Sequence, residues 1–331
     1  MQTVALADPP SILSCACVGG KMESDGPLGV YFDYTDPDPY CGQTTWEKAE
    51  SAMLEKAFTL ALGKASMVPS DVQYVFAGDL LNQCISSSFG LRGTGIPFFG
   101  IYGACSTMAE GLALAAMTID GGFADTAAAV TSSHFCSAER QFRTPLEYGC
   151  QRTPTAQWTV TGAGAAILSA DGPGPYVTHI TPGRIIDAGI TDTSNMGAAM
   201  APAAHDTISA HFSDLGRSPD DYDLILTGDL GALGSSVLVD LFRADGIELC
   251  GRHGDCGAMI YSPDTQDVHS GGSGCGCCAS VLCGHIISGM RSGKWSRVLF
   301  AATGALMSST SSQQGESIPG ISCAVSLSNT K

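Results

Sequence analysis

Small and apolar residues recur along the chain in blocks whose spacing alternates between that of strands and that of helices. Continuous apolar runs predict buried strands, and apolar positions repeated every three or four residues predict helices. In the first half, strands are predicted at residues 11–18, 72–78, 126–133 and 158–170. Helices are predicted at 46–62, capped by Thr44 or Thr45, and within 100–122. Residues 139–157 are predicted to form a loop that carries several arginines. This alternation indicates an α/β fold.

The second half of the chain repeats the order of the first. A helix is predicted at 205–215, followed by a strand that ends in Gly228-Asp229-Leu230, a glycine-rich loop, a small-residue helix within 273–295 and a strand at 296–306. The triplet Gly78-Asp79-Leu80 ends the corresponding strand of the first half, 150 residues earlier (228 − 78). The repeat predicts two duplicated halves, residues 1–174 and 175–331. Their small-residue helices would pack together between two sheets in a five-layer αβαβα sandwich.

Cys105 lies at the predicted start of the small-residue helix of the first half, within the sequence GIYGACSTMAEG. Unpaired backbone N–H groups and the helix dipole at such a position favour a thiolate. The alternative is a small, inert, buried side chain, which is the common role of cysteine. The local sequence favours neither interpretation.

Composition and charge exclude several classes of function. The formal net charge of −16 argues against nucleic-acid binding and against purely electrostatic binding to anionic lipid. An apolar run of 18 residues is absent, as is a basic segment leading into an apolar one, so we expect neither a membrane span nor a signal peptide. The fourteen cysteines therefore indicate a reducing compartment with free thiols. The C-x-C-C sequence at 275–278 lacks the spacing typical of zinc sites, so we expect no metal or other cofactor.

Several longer motifs identify a family. The sequences AGDLLNQ (77–83), GIYGACSTMAE (100–110) and DVHSGGSGCGCCAS (267–280) resemble the thiolase and ketoacyl-synthase superfamily. The block at 131–165 is the most specific, and it resembles a family of bacterial sporulation proteins within that superfamily. The resemblance implies a thiolase-like fold, a homodimer and a role in spore formation. It also implies binding of dipicolinic acid (pyridine-2,6-dicarboxylate), or its calcium chelate, for uptake into the developing spore. The expected partners are other stage V A spore membrane proteins, with the chain peripheral to the inner spore membrane.

The catalytic residues of the superfamily match this chain only in part. Cys105 occupies the position of the nucleophile. Where synthases carry a His-Gln-Ala-Asn-like loop, this chain has Gly228-Asp229-Leu230-Gly231, and Cys275 lies near the position of the second-half Asn or His. His269 is the best remaining candidate for a base, with His253 and His285 behind it. Positioned acid–base groups contribute roughly two to four decades of rate, so their loss favours a non-catalytic pocket. The alternatives are an active condensing enzyme that transfers acyl groups from CoA or acyl carrier protein to Cys105, and a purely structural dimeric subunit.

A dicarboxylate requires arginine or backbone N–H donors and a flat surface for its ring. The densest cationic stretch supplies both kinds of group. Its candidate ligand-binding residues are Arg140, Arg143, Arg152 and Trp158, with Phe142 and Tyr148 between them and His134 just before them. The candidate ligand-binding set also includes His134, Cys105, Asp229, His269 and Cys275. The alternative for the arginines is loop anchoring or a contact between subunits.

Overall fold

Five layers of alternating helix and sheet form the part of the chain that the computed structural model describes, residues 1–142, 151–249 and 251–331. Its fourteen strands are β1 (Val4–Ala5), β2 (Ser11–Gly19), β3 (Tyr34–Thr35), β4 (Tyr74–Gly78), β5 (Phe98–Gly100), β6 (Thr126–Ser133), β7 (Trp158–Thr159), β8 (Gly162–Ser169), β9 (Tyr176–Thr181), β10 (Leu224–Thr227), β11 (His253–Asp255), β12 (Gly272–Ser273), β13 (Arg297–Ala305) and β14 (Gly320–Ser328).

The same residues form eleven α-helices. They are α1 (Lys21–Ser24), α2 (Trp46–Ala65), α3 (Ile85–Leu91), α4 (Thr107–Asp120), α5 (Phe135–Phe142), α6 (Met196–Leu215), α7 (Gly231–Ala244), α8 (Cys256–Ile260), α9 (Cys275–Val281), α10 (Ile287–Arg291) and α11 (Ser309–Gln313). A π-helical segment, Leu282–Ile286, joins α9 to α10. Within the described ranges, none of these helices is long and apolar enough to span a lipid bilayer.

The strand order shows the duplication directly. The first half is ordered β2-β8-β6-β4-β5 and the second β9-β14-β13-β10-β11. In both halves the first two pairings are antiparallel and the last two are parallel. The two strand orders join where β2 meets β9, at the pair Ser11 and Tyr176, and β1 of the first half also pairs with β9. The two Gly-Asp-Leu triplets lie at the C-terminal ends of the equivalent strands β4 and β10, as the repeat predicts.

Side chains on successive strand positions enter different layers because a strand alternates its two faces. In β6, Ala127 and Ala129 face the central layer, while Ala128 and Val130 face α2 on the outside. In the second half, β13 shows the same alternation between the central layer and the outer helices α6 and α7. The central layer contains α4 and α9, whose small residues pack between the two sheets. The predicted αβαβα sandwich is confirmed.

Most of the predicted elements are present, and three predictions are corrected. Helix α6 begins at Met196 rather than near 205, because it accommodates Pro202 in its interior. The loop predicted after Leu230 is helix α7, in which Gly234 packs directly on Gly197 of α6. Part of the loop predicted at 139–157 belongs to α5. The proposed boundary at 174/175 lies between β8 and β9 and stays a prediction.

Candidate functional site

A cavity of about 500 Å³ lies where segments of the two halves meet. The first half contributes Cys105, Thr159 and residues within 151–157, and the second half contributes Ser273, residues within 191–196 and residues near α11. The short parallel pairing of β7 with β12 joins the halves beside it, with Trp158 opposite Gly272 and Thr159 opposite Ser273. The described lining contains two charged residues, Arg152 and Glu139.

The turn that carries Cys105 is tightly constrained. Helix α4 begins at Thr107, so Cys105 precedes the helix rather than lying in its first turn. Ala104 has a φ of 50°, a left-handed conformation that few non-glycine residues adopt. Gly304 of β13 packs directly against this turn. A Cβ at Gly304 would lie only 2.3 Å from the carbonyl oxygen of Gly103. The second half therefore helps to hold the cysteine of the first half in place.

A buried carboxylate organises the surroundings of the thiol. Asp229 accepts hydrogen bonds from Ser273 Oγ (2.8 Å), the Gly274 amide (2.9 Å) and Thr303 Oγ1 (2.9 Å). Ser273 Oγ lies 3.8 Å from Cys105 Sγ. A chain of contacts thus runs from the thiol through Ser273 to the Asp229 carboxylate.

This environment suppresses ionisation of the thiol. Burial raises the pKa of Cys105 well above its usual value, and the nearby Asp229 carboxylate raises it further. Burial also raises the pKa of Asp229, although its hydrogen-bond donors oppose that shift. Of the two interpretations that the sequence left open for Cys105, this environment favours the buried, neutral thiol over the thiolate. Desolvation and a like charge outweigh the helix dipole.

Histidine is absent from the described lining of the cavity. His269 Nε2 lies 3.1 Å from Asp267 Oδ1, and His253 Nε2 lies 3.0 Å from Thr227 Oγ1. Both ring nitrogens of His134 are engaged by the backbone, Nε2 with Pro39 O and Nδ1 with the Cys136 amide. Burial lowers the pKa of His134, so its imidazole is held neutral at this position outside the lining.

The candidate arginines have different environments. Arg140 pairs with Glu47 and lies over the Trp46 ring, outside the lining of this cavity. Arg152 lines the cavity, and its side chain is 4% exposed. Its Nη2 contacts Asp267 at O (2.5 Å) and at Oδ2 (3.0 Å). Arg143 and Tyr148 lie outside the described residues.

The Arg152 guanidinium packs against the Trp158 ring. Its guanidinium carbon lies 4.6 Å from the centre of the Trp158 ring. The other partner of Trp158 is Phe135, at 3.7 Å between ring centres and 5° between planes. Trp158 therefore supports Arg152 and is not itself part of the lining.

Cys275 lies in a small apolar cluster with Cys105, Leu80 and Ala138. Its thiol donates to Ser132 O at 2.9 Å, and burial raises its pKa well above the usual value. Among the residues that the structure describes, no group of three or more His, Cys, Asp or Glu side chains has the geometry to hold a metal ion.

Comparison with known proteins shows the family. The family model described as stage V sporulation protein AD (SpoVAD) matches residues 1–328. Stage V sporulation protein AD of Bacillus subtilis (strain 168) is 48% identical over 320 residues, which cover 97% of this chain and 94% of that protein. The chain belongs to the stage V sporulation protein AD family.

Solved structures place this SpoVAD-family chain in the thiolase-like fold. The 3-oxoacyl-[acyl-carrier-protein] synthase III from Aquifex aeolicus VF5 matches with a TM-score of 0.58 at 13% identity, covering 96% of this chain and 99% of that one. Human mitochondrial 3-ketoacyl-CoA thiolase in complex with CoA matches with a TM-score of 0.58 at 14% identity, covering 98% and 99%. At these identities the likeness concerns the fold alone.

Sequence reasoning missed three residues of this SpoVAD-family site. Ser273 places its hydroxyl 3.8 Å from the Cys105 thiol, whereas Cys275 packs beside Cys105 in the apolar cluster and donates to Ser132 O. Thr303 reaches Asp229 from β13, and Gln157 reaches its carbonyl oxygen from the segment before β7. Thr303 lies within an apolar strand and Gln157 within a polar loop, so neither offered a pattern that would single it out.

We expect the Asp229→Asn substitution to lower the pKa of the Cys105 thiol, because it removes a neighbouring negative charge while keeping the shape of the side chain. Each unit by which that pKa falls gives about tenfold more thiolate at neutral pH and a correspondingly faster reaction with iodoacetamide. Peptide mapping by mass spectrometry isolates the alkylation rate of Cys105 from that of the other cysteines. Asp206→Asn, at a residue paired with Arg184, is the control. An unchanged rate at Cys105 would show that Asp229 does not govern the thiol.

Proposed function

We propose that this chain is a non-catalytic, thiolase-fold binder of dipicolinic acid, or of its calcium chelate, that serves uptake of this ligand into the developing bacterial spore. Membership of the SpoVAD family supports the role in sporulation. The observation that carries the choice of ligand concerns Arg152. This residue lines the cavity, and its side chain is almost fully buried. The proposed location is the periphery of the inner spore membrane, beside other stage V A proteins.

Arg152 has the properties of a carboxylate-binding group. Asp267 engages Nη2, whereas Nη1 is buried without a hydrogen-bond partner among the described residues. Leaving a buried charged donor unpaired costs free energy, and a ligand carboxylate would satisfy it with a charge-assisted hydrogen bond. Because Trp158 and Asp267 already hold the guanidinium in place, little side-chain entropy would be lost on binding.

The cavity also suits a small, flat ligand with a reduced negative charge. Its volume of about 500 Å³ is within the range of small-molecule sites, and Phe142 and Tyr102 add aromatic surface to its lining. Glu139 lines the same cavity, and the whole chain carries a net charge of −16. The net charge of the chain would repel a bare dianion more strongly than a calcium chelate, whose negative charge the cation reduces.

The surroundings of Cys105 favour binding over catalysis. A condensing reaction needs a nucleophilic thiolate and a positioned acid or base. The thiol is held neutral here by burial and by Asp229, and the described lining contains no imidazole. An active condensing enzyme remains the second candidate because Cys105 does line the cavity.

A homodimer is part of the proposal. Strand β5 lies at the end of the strand order, and two of its residues, Phe98 and Phe99, are 38% and 50% exposed. Phe89 and Tyr102 are exposed nearby in the sequence. An uncovered edge strand with large apolar side chains is suited to pairing with a second copy of itself.

The Arg152→Met substitution is expected to weaken dipicolinate binding about tenfold to hundredfold, the cost of one charge-assisted hydrogen bond. The rise in melting temperature with added dipicolinate, with and without calcium, measures this loss, since a ligand stabilises the protein that binds it. Arg140→Met is the matched control, because Arg140 pairs with Glu47 outside the cavity, and it should keep the full shift. Equal shifts in the wild-type protein and both variants would contradict a role for Arg152.

Incubation with acyl-CoA is expected to leave the intact mass of the protein unchanged, because the Cys105 thiol is held neutral and the described lining offers it no imidazole. Intact-mass spectrometry measures the outcome, with Cys105→Ala as the control. An acyl adduct that forms on the wild-type protein and is lost in Cys105→Ala would favour the condensing enzyme.

In solution, light scattering should give a mass about twice the 34.0 kDa of one chain. Phe99→Asp should give the monomer mass, because it places a charge on the proposed interface. Phe123→Asp alters a phenylalanine that is 75% exposed beyond the C-terminal end of α4, and it should remain dimeric. A monomeric wild-type protein would refute the dimer.

A further inference from the structure

Gln157 is a second residue of the cavity lining that carries an unpaired polar atom. The residue is 7% exposed and lines the cavity five positions after Arg152. Its Oε1 is buried and has no hydrogen-bond partner within the described part of the chain. Arg152 thus offers an unpaired donor and Gln157 an unpaired acceptor.

The orientation of the Gln157 amide is determined by its surroundings. Nε2 donates to Asp229 O at 2.6 Å and to Gly272 O at 3.0 Å, which uses both of its N–H groups. Rotating the amide by 180° would place Oε1 against two carbonyl oxygens, so Oε1 must remain the free atom. The backbone on either side is held as well, because Ala156 O accepts from Ser270 and the Trp158 amide donates to Gly271 O.

An acceptor that cannot turn away restricts what can bind beside it. A carboxylate has no donor to offer Oε1, and two oxygen acceptors in contact in a desolvated site repel each other. A ligand group with an N–H or O–H, or a bound cation with its hydration water, would satisfy it.

We propose that Gln157 is a specificity-determining residue. It favours ligands that place a hydrogen-bond donor or a bound cation against its Oε1. This inference rests on the proposed function and adds to it. The cavity binds an aromatic acid whose one carboxylate pairs with Arg152, and whose other end carries a donor group or a chelated cation. Dipicolinate without calcium meets only the first requirement.

The test compares two ligands by isothermal titration calorimetry in EDTA. Dipicolinate carries two carboxylates, and 6-carbamoylpyridine-2-carboxylate replaces one of them with an amide that donates. The wild-type protein should bind the carbamoyl ligand at least as tightly as dipicolinate. Gln157→Met keeps the length of the side chain without the acceptor. It should weaken binding of the carbamoyl ligand about tenfold and leave the affinity for dipicolinate unchanged or higher.

Repeating the titrations with calcium identifies the source of the donor. If the affinity for dipicolinate with calcium falls about tenfold in Gln157→Met, the donor is the chelated cation or its water. If only the carbamoyl ligand responds, the requirement for a donor stands and the chelate is excluded as its source. Ser312→Ala is the matched control, because the Ser312 hydroxyl also lines the cavity unpaired but can rotate to donate or accept. It should leave the ratio of the two affinities unchanged.

Two outcomes would overturn the inference, and they differ in what they say of the proposed function. Equal losses for both ligands in Gln157→Met would refute the role of Gln157 and leave the binding function intact. If the wild-type protein binds neither ligand, the proposed function and this inference both fail. Should Gln157→Met not fold, the wild-type preference still decides, because tighter binding of dipicolinate in EDTA than of the carbamoyl ligand contradicts the inference.

Discussion

The buried carboxylate of Asp229 is the interaction on which the site depends. It ties Ser273 and Gly274, at the start of α9, to Thr303 in β13. The backbone carbonyl of Asp229 also accepts a hydrogen bond from the side-chain amide of Gln157 in the first half. A buried charge is tolerated only when its hydrogen-bonding capacity is met, and here the donors come from segments distant in sequence. Asp229, which links elements of the second half, therefore also raises the pKa of Cys105 in the first half.

That arrangement separates two kinds of group along the cavity. Near Cys105, neutral thiol and hydroxyl groups surround an enclosed negative charge. Towards Arg152, a guanidinium is held by an aromatic ring on its face and by an acid at one edge, and Asp267 itself is 84% exposed.

The sequence was most informative about the architecture and least about contacts across the two halves. The paired Gly-Asp-Leu triplets and the small-residue helices predicted a duplicated sandwich, because strand and helix periodicity are local properties. The contact between Cys105 and Ser273 depends on a glycine-rich turn in which Gly274 has a φ of 105°, and a shift of two residues there changes which side chain reaches the thiol. The arginines at 140 and 152 looked equivalent, yet one lies on α5 beside Glu47 and the other is buried against Trp158. Only tertiary structure distinguishes them.

The alanine-rich central layer limits how such a cavity can change during evolution. Ala127 and Ala129 of β6 face α4 and α9, where Ala113, Ala116 and Ala279 are similarly buried. A larger side chain at any of these positions would push apart two sheets that are joined through many other contacts. New ligand preferences are therefore most accessible through parts of the cavity lining outside that layer, at residues 191–196 and 309–313, which are partly or fully exposed. Relatives that diverge in ligand would be expected to differ there first and to keep their interiors nearly alike.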